Sequence, residues 1–465
     1  MEVDCSALRD KIVGCDRQVP LLNGTVAPYV NLDNAASTPP LKVALQALTS
    51  FFEWYSSVHR GAGFKSQLAS EVYDSCRDVV ADFVGADPKR DAIIFVSGTT
   101  DAINRLSYCC PLKPDEKIVI SHMEHHANDL PWRRFCDPIR VPVTAEGVID
   151  PDDLRKILKD NQGKVKLFSV TAASNVIGTV VPIYELAEIC HEYDVKIMVD
   201  AAQLIPHRRV DMKSHDDPQH LDFVAFSAHK MYAPFGSGVL VAPRELLDKV
   251  DPAVWGGGAV AVVAVDEVVW LKSPEREEAG SPNVGGVVAM AAAMKELNAI
   301  GYDTLLQVED TLIEKFLNYI NNRPEIISYG ITDLKRIQER LGVFSFNVAE
   351  IPHALVAAIL SYEGGIGVRN GCFCAHPFIL QLLQVSDDKQ KEVRRRLVEG
   401  IHDNVPGAVR VSFGMYNTIQ EVETLMEVLD RIIEHGYEGK YLENPTDGAY
   451  YPAGEKTDFR KYFGW

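Results

Sequence analysis

The stretch Phe223-Val224-Ala225-Phe226-Ser227-Ala228-His229-Lys230 begins as a short apolar run and ends in polar residues. Similar β-rich runs recur between residues 91 and 243, and segments of helical pattern, such as 183–193, lie between them. Because the runs are almost wholly apolar, they are typical of strands covered on both faces, and they predict a mostly parallel α/β sheet. The predicted strands are 93–96, 117–120, 165–170, 195–199, 223–226 and 239–241.

Polar residues follow five of these runs at the point where each run ends. In parallel sheets, ligands bind beyond the carboxyl ends of the strands. The segments there supply hydroxyls, imidazoles, an amide, a carboxylate and an amine: Ser97-Gly98-Thr99-Thr100, 122–128, Ser174-Asn175, Asp200-Ala201-Ala202-Gln203 and Ser227-Ala228-His229-Lys230. The sequence therefore predicts one site at this edge of the sheet.

Length and composition exclude several classes of protein. A chain of 465 residues with 46% apolar residues predicts two or three globular units. The net charge of −18 disfavours nucleic acid and anionic membrane surfaces as partners. Nine cysteines, an odd number, indicate a reducing compartment. With no secretory pattern in the first ten residues and no apolar stretch near the roughly 20 residues of a membrane span, we expect a soluble, cytoplasmic protein.

The chain changes character after about residue 300. Residues 35–300 are predicted to form a large domain that contains the sheet, and residues 1–34 and 301–436 a smaller α+β domain. The smaller domain is expected to contain an amphipathic helix at 302–322, strands near 343–348 and 409–413, and a helix at 420–435. Residues 437–465, rich in Gly, Pro, Asp and aromatic residues, are predicted to be an irregular tail.

Three of the polar segments suggest pyridoxal phosphate when they are taken together. Thr99 and Thr100 follow Gly98 at a strand–helix junction, which suits either a phosphate or ordinary helix capping. Asp200 ends an apolar strand, so it needs a cation, either a protonated ring nitrogen or an arginine. Lys230 follows a buried strand and is either an amine nucleophile or a surface lysine. A phosphate cradle, a carboxylate and a lysine are the groups that this cofactor requires.

Five motifs give the chain a family resemblance. They are Asn31-Leu32-Asp33-Asn34-Ala35-Ala36-Ser37, Ser121-His122-Met123-Glu124-His125-His126-Ala127-Asn128, Val199-Asp200-Ala201-Ala202-Gln203, Phe226-Ser227-Ala228-His229-Lys230 and Ala279-Gly280-Ser281-Pro282-Asn283. Over about residues 31–431 the chain resembles the class V aminotransferase group of pyridoxal-phosphate enzymes, and most closely its cysteine desulfurase and selenocysteine lyase branch. This resemblance implies a fold-type I homodimer with a mostly parallel, seven-stranded sheet.

The resemblance also implies a role for each residue around the cofactor. Lys230 forms the Schiff base, His125 stacks on the ring, Asp200 pairs with the pyridine nitrogen and Gln203 bonds the phenolic oxygen. The phosphate is held by Thr99, Thr100, Ser227 and His229, and by Ser281 from the second subunit. Chemistry supports the role of Asp200, because a protonated ring nitrogen makes the cofactor an electron sink.

The loop at 368–377 contains the predicted nucleophile, Cys374. A thiolate near Arg369 and His376 would be more acidic than usual and could attack a substrate sulfur. Cys374 resembles the persulfide cysteine of desulfurases that carry an Arg-x-Gly-x-x-Cys-Ala loop; the alternative is a buried, inert cysteine. A metal site at Cys372 and Cys374 is disfavoured because a second ligand pair is missing, so no metal is predicted.

Substrate binding is assigned to Arg410, Asn175 and Arg369. By the resemblance Arg410 grips the carboxylate of an amino acid, which a guanidinium can do through two parallel hydrogen bonds, and Asn175 adds a donor. A glycine run at 256–258, followed by an apolar stretch, predicts a hairpin, which the family places near the partner's active site.

Two features differ from the desulfurases that carry the Arg-x-Gly-x-x-Cys-Ala loop. Cys372-Phe373 stand where those enzymes have two histidines, and the Gly-Cys-Phe-Cys run resembles the aminotransferase-like domain of molybdenum-cofactor sulfurases. The segment 374–410 is also longer than the corresponding connection in typical desulfurases.

The predicted reaction is conversion of L-cysteine to alanine with a persulfide on Cys374 and transfer to a sulfur-acceptor protein. The alternatives are another class V reaction (aminotransferase, epimerase or C–S/C–Se lyase) and a sulfur-carrier scaffold without turnover.

Overall fold

The structure, a computed structural model, describes residues 5–59, 61–454 and 457–464. Its helices are α1 Cys5–Arg9, α2 Lys42–Trp54, α3 Phe64–Val84, α4 Thr99–Cys109, α5 Leu130–Arg133, α6 Pro151–Asp160, α7 Ile183–Glu192, α8 Arg244–Leu247, α9 Val284–Ile300, α10 Tyr302–Asn321, α11 His353–Gly364, α12 His376–Leu382, α13 Asp387–Val398 and α14 Ile419–His435.

The strands are shorter and more numerous than the helices. They are β1 Gln18–Pro20, β2 Val26–Pro28, β3 Val30–Asn31, β4 Asp91–Val96, β5 Lys117–Ser121, β6 Ile139–Val141, β7 Val165–Thr171, β8 Lys196–Asp200, β9 Phe223–Ser227, β10 Gly238–Pro243, β11 Val260–Val263, β12 Val268–Trp270, β13 Ile326–Tyr329, β14 Val343–Val348, β15 Ile366–Gly367, β16 Arg369–Gly371, β17 Ala408–Ser412, β18 Tyr441–Glu443 and β19 Tyr450–Pro452.

The central sheet has seven strands in the order β4-β10-β9-β8-β7-β5-β6. Only β10 runs against the others, since it pairs antiparallel with both β4 and β9. The prediction of a mostly parallel, seven-stranded α/β sheet is therefore confirmed. The six predicted strands are all present. The seventh strand, β6, is absent from the prediction because three residues are too few to show a local strand pattern.

Burial on both faces explains why the strands are apolar throughout. In β9, Val224 and Phe226 join one hydrophobic cluster, whereas Phe223 and Ala225 join another on the opposite face. Helices α3 and α9 contribute to the first cluster and α4 to the second. Because side chains alternate across a strand, a strand between two such layers must be apolar at every position.

A second sheet, β13-β14-β17-β16, is wholly antiparallel. Helices α10, α11 and α14 pack with it around Phe316, Phe344, Phe346 and Phe413. The helices and strands predicted for this part of the chain lie within two residues of the observed ones. The amino-terminal β3 pairs with β15 beside this sheet. The domain bounds at 34/35, 300/301 and 436/437 stay a prediction.

The last described part of the chain contains a short hairpin. Strands β18 and β19 pair antiparallel, and the carboxylate of Glu363 in α11 accepts hydrogen bonds from Gly439 N and Tyr441 Oη, both at 3.0 Å. The tail is thus partly regular and anchored on α11. The predicted hairpin after 256–258 is also present, as β11 and β12.

Among the helices of the described residues, none has by itself both the length and the apolar composition of a bilayer span. Helices α9 and α10 reach that length and composition only together, as a pair bent by 79°.

One glycine contact should be sensitive to substitution. A Cβ on Gly238 would lie 2.6 Å from Gly98 Cα, before α4, and 2.7 Å from Phe226 O, in β9, and both are backbone atoms. We expect Gly238→Ala to lower the free energy of unfolding by about 1–3 kcal/mol, as other overpacked sites do. Denaturant unfolding measures this change. The matched control is Gly63→Ala, where a Cβ meets no atom within 4 Å; equal stability of the two variants would contradict the prediction.

Candidate active site

The carboxyl ends of the parallel strands meet at a cavity of about 280 Å³. Every predicted site residue except Ser281 lines this cavity: Thr99, Thr100, His125, Asn175, Asp200, Gln203, Ser227, His229, Lys230, Arg369, Cys374 and Arg410. Residues far apart in the sequence are therefore brought to one place, as the position of the strand ends predicted.

One end of the cavity is suited to an anion. Thr99 begins α4, and its backbone nitrogen donates to Ser227 Oγ at 2.8 Å, while the two hydroxyl oxygens also lie 2.8 Å apart. The cap residue of α4, Gly98, has no side chain to occupy the free amide groups of the first turn. A helix N-terminus with two adjacent hydroxyls favours a bound phosphate.

Asp200 is the last residue of β8 and is 4% exposed. Its Oδ1 accepts a hydrogen bond from Ala202 N at 3.0 Å. Burial raises the pKa of Asp200, and the charge of Lys230 opposes that rise. Among the ion pairs of the residues described, none joins Asp200 to an arginine, so the arginine alternative is wrong. A cation entering the cavity would stabilise the buried carboxylate.

Lys230 ends a short 3₁₀ turn, Ala228–Lys230, directly after β9. Its Nζ donates to Gln203 Oε1 at 3.4 Å. Burial lowers the pKa of Lys230 and Arg410 lowers it further, while Asp200 and Cys374 act in the opposite direction. A lowered pKa increases the fraction of neutral amine, which is the nucleophilic form. Because Lys230 is half-buried and lines the cavity, the surface-lysine alternative is wrong.

His125 presents a neutral ring to the same cavity. Its Nδ1 accepts a hydrogen bond from Ala127 N at 3.0 Å, so the proton of the neutral ring is on Nε2. Burial, with the nearby charges of Lys230, His126 and Arg410, lowers the pKa of His125 to about 3. An uncharged imidazole is a suitable flat partner for an aromatic ring.

Arg410 is 3% exposed and reaches the cavity from β17. Its Nη1 donates to the backbone oxygen of Asn175 at 2.9 Å and its Nη2 to Asp33 Oδ1 at 3.0 Å, while Nε is buried without a partner. The guanidinium carbon lies 4.9 Å from the centre of the Phe373 ring. Arg410 is thus fixed in orientation and retains a free donor for an anionic group.

The loop that carries Cys374 is held from several directions. Asn175 Nδ2 donates to Phe373 O at 2.7 Å, so in this structure the amide supports the loop. Arg369 is exposed and lies 3.8 Å from Asp33. Of the eight cysteines whose side chains the structure describes, only Cys374 is exposed. The inert-cysteine alternative therefore does not apply to Cys374.

Cys372 differs sharply from its neighbour. It is buried, its Sγ donates to Pro406 O at 3.2 Å, and burial raises its pKa to about 11. Cys374 therefore has the accessible thiol of the pair. Within the described ranges, no group of three or more His, Cys, Asp or Glu residues is arranged to hold a metal ion.

Ser281 is the one predicted site residue that does not line the cavity. It is exposed in the segment between β12 and α9, after Gly280. Its predicted contact with the phosphate requires a second subunit and stays a prediction.

Three residues that shape the site had no predicted role. Asp33 pairs with Arg410, Phe373 lies against that arginine, and buried Glu124 accepts hydrogen bonds from Thr171 N at 3.1 Å and Asn128 Nδ2 at 2.7 Å. Asp33 and Glu124 both occur in motifs that carry the family resemblance, so those motifs were the sequence signal that could have identified them. Their partners could not be read from it, since Asp33 and Arg410 are 377 positions apart.

The residues present fit pyridoxal phosphate. An anion-binding helix terminus, a buried carboxylate in need of a cation, an amine with a lowered pKa and a neutral aromatic ring all face one cavity. These are the groups that bind the phosphate, ring nitrogen, aldehyde and ring face of this cofactor.

Comparison with known proteins places the chain in a family. The class V aminotransferase family profile matches residues 30–425. The cysteine desulfurase of Shigella flexneri is 32% identical over 415 residues, which cover 87% of this chain and 93% of that protein. A cysteine desulfurase of Escherichia coli strain K12 matches over the same shares of both chains, also at 32% identity.

Solved structures agree with the sequence comparison. The apo cysteine desulfurase of Thermococcus onnurineus NA1 has a TM-score of 0.78 and 30% identity, covering 93% of this chain and 99% of that one. The Escherichia coli cysteine desulfurase CsdA has a TM-score of 0.75 and 28% identity, covering 93% and 98%. The chain therefore belongs to the class V aminotransferase family of pyridoxal-phosphate-dependent enzymes.

Proposed function

We propose that the protein is a cysteine desulfurase, which converts L-cysteine to alanine and retains the sulfur as a persulfide on Cys374. The observation that carries this proposal is the exposed thiol of Cys374 in the same cavity as Lys230, Asp200 and Arg410. The names of the relatives from Shigella flexneri and Thermococcus onnurineus support it. A transaminase or epimerase has no need of an exposed thiol at that place.

Several residues would hold the cofactor. Lys230 would be joined to it covalently, Asp200 would face the ring nitrogen, His125 the ring face and Gln203 the phenolic oxygen. The phosphate would be held by Thr99, Thr100, Ser227 and His229. When bound, pyridoxal phosphate withdraws electrons from the α-carbon of an amino acid and so makes its proton acidic.

The remaining roles belong to side chains of this chain. Arg410 binds the carboxylate of cysteine, and Arg369 adds a second positive charge at the mouth of the cavity. Once the amino group of cysteine has taken its place at the cofactor, Lys230 is released, and its neutral amine accepts the α-proton at Nζ. The thiolate of Cys374 then attacks the substrate sulfur. A sulfur–sulfur bond forms as the bond between the substrate sulfur and the β-carbon breaks, and the β-carbon keeps that electron pair and is protonated. The α-carbon then regains a proton from Lys230, which gives alanine.

We also propose a homodimer of this chain. Val262, Val263 and Val265 on the β11–β12 hairpin are exposed, as are Phe52 and Trp54 at the end of α2. Exposed apolar surface of this kind is typical of subunit interfaces. The dimer would bring Ser281 to the partner's phosphate site.

Because Cys374 is exposed, its sulfur is accessible to an acceptor protein, and such transfer fits a reducing, cytoplasmic setting.

The covalent link to the cofactor has a direct test. After borohydride reduction of the holoenzyme, we expect mass spectrometry to find the cofactor mass on the peptide that contains Lys230. Lys230→Ala should lose that mass, while Lys272→Ala, at an exposed lysine, should retain it. Cofactor mass on a different lysine would contradict the assignment.

The two thiols of the loop should differ in their contribution to turnover. We expect Cys374→Ser to lower alanine release from cysteine by about 100-fold or more, because serine cannot form the persulfide. Cys372→Ser is the matched control and should retain most of the rate, since that thiol is buried. Alanine and sulfide are measured in the presence of a reductant. Full sulfide output from Cys374→Ser would remove this cysteine from the mechanism.

Arg410→Lys should weaken recognition of the substrate carboxylate. A lysine cannot donate two parallel hydrogen bonds, so we expect kcat/KM for cysteine to fall by about 10- to 100-fold. Steady-state kinetics measure the change, with Arg336→Lys, at a partly exposed ion pair, as the control. An unchanged kcat/KM would mean that the carboxylate binds elsewhere.

A further inference from the structure

His126 and His376 form a contact that the reaction above does not use. The Nδ1 atom of His376 lies 3.2 Å from Nε2 of His126, and the two rings are stacked, with centres 5.0 Å apart and planes 9° apart. His126 follows His125, which lines the cavity, and His376 comes two residues after Cys374. The pair therefore connects two parts of the site that are 250 positions apart in the chain.

A backbone hydrogen bond accompanies the ring contact. The nitrogen of His126 donates to the carbonyl oxygen of Cys374 at 2.7 Å. The same histidine thus holds the Cys374 loop through its backbone and through its ring. Its Nε2 atom also accepts a longer hydrogen bond, of 3.5 Å, from the backbone nitrogen of His376. The backbone hydrogen bond to Cys374 is independent of the ring contact, so the two segments are joined by more than a stack of two side chains.

The conformation of the loop needs such support. Phe373 and Cys374 have φ values of 51° and 54°, in the left-handed region that side chains rarely adopt. Consecutive residues of this kind persist only where the surroundings hold them there. Without its contacts, the loop should relax towards ordinary backbone angles and move the thiol.

Packing supports only part of the loop. Cys372, Phe373 and Ala375 are buried in the hydrophobic core, whereas Cys374 and His376 are exposed. There is also a cavity on each side of the loop. The catalytic cavity is lined by Arg369, Phe373 and Cys374. A second cavity of about 670 Å³ is lined by Asn370, Gly371, Cys372 and His376 on the other side. The exposed positions, Cys374 and His376, therefore depend on their polar contacts.

The protonation states of the rings are compatible with a hydrogen bond between them. The contact needs one N–H and one lone pair, so two imidazolium ions cannot make it. Burial lowers the pKa of both imidazoles, and the charge of His376 lowers that of His126 further. Two neutral rings at physiological pH can form the bond with one as the donor.

We propose that His376, through its hydrogen bond to His126, is a positioning residue that holds Cys374 in place for attack on the substrate sulfur. This proposal rests on the proposed function. Substrate binding at Arg410 and the covalent link at Lys230 do not involve the pair. Its loss should therefore slow carbon–sulfur cleavage without weakening the binding of cysteine.

Amide side chains give a sharp test, because they imitate one imidazole nitrogen at a time. Asparagine places a polar atom where Nδ1 of histidine lies, and glutamine places one where Nε2 lies. At position 376 the contact atom is Nδ1, so His376→Asn should retain most of kcat. In His376→Gln and His376→Phe, kcat should be about tenfold lower than in the parent enzyme. KM for cysteine should be unchanged in all three variants. At position 126 the contact atom is Nε2, so His126→Gln should be the better variant and His126→Asn the worse.

A second measurement does not depend on activity. Amide hydrogen exchange of the holoenzyme should be faster over residues 372–376 in His376→Gln and His376→Phe than in the parent protein, and close to the parent in His376→Asn. Parent-like kcat and exchange in His376→Phe would overturn the proposal, as would equal losses in the asparagine and glutamine variants. If the parent enzyme releases no alanine from cysteine, the proposed function fails, while the exchange pattern still decides whether the pair holds the loop.

Discussion

The burial of Asp200 and Lys230 at the ends of neighbouring strands is the constraint on which the site depends. Removal from water shifts the pKa of both groups towards their neutral forms, upwards for the carboxyl and downwards for the amine. The shift favours a nucleophilic amine at Lys230. At Asp200 it leaves a carboxyl group whose ionised form a cation would stabilise. Both pKa shifts come from burial at the strand ends, since the same two residues on the protein surface would show neither shift.

The site also depends on elements from both sheets. Arg410 projects from β17 of the antiparallel sheet, and its partners are Asp33 near the amino terminus and the backbone of Asn175 after β7. A buried guanidinium without such partners would be costly, so these hydrogen bonds hold the arginine in one orientation. A carboxylate bound there would consequently meet a prearranged donor.

The loop between β16 and α12 shows how one fold can give two identical thiols different properties. Cys372 is buried against Pro406 O, where the pKa of its thiol is raised to about 11, whereas Cys374 is exposed at the cavity. The single residue between them, Phe373, lies against Arg410 and accepts a hydrogen bond from Asn175. The accessible thiol is thus determined by its surroundings and by the left-handed turn that presents it.

The sequence by itself determined those elements whose burial produces a local pattern of apolar residues. Six strands of the central sheet, the helices α10 and α14 and the polar strand ends could all be predicted, because two-sided burial requires an unbroken apolar run and a binding edge requires polar residues after it. Only the tertiary structure decided the short strand β6, the reversed direction of β10 and the hairpin of the tail, since three-residue strands carry too little pattern and strand direction is set by the chain's path. It also decided that Asp33 pairs with Arg410 and His126 with His376, because contacts between residues hundreds of positions apart arise from packing of whole elements and leave no local signal.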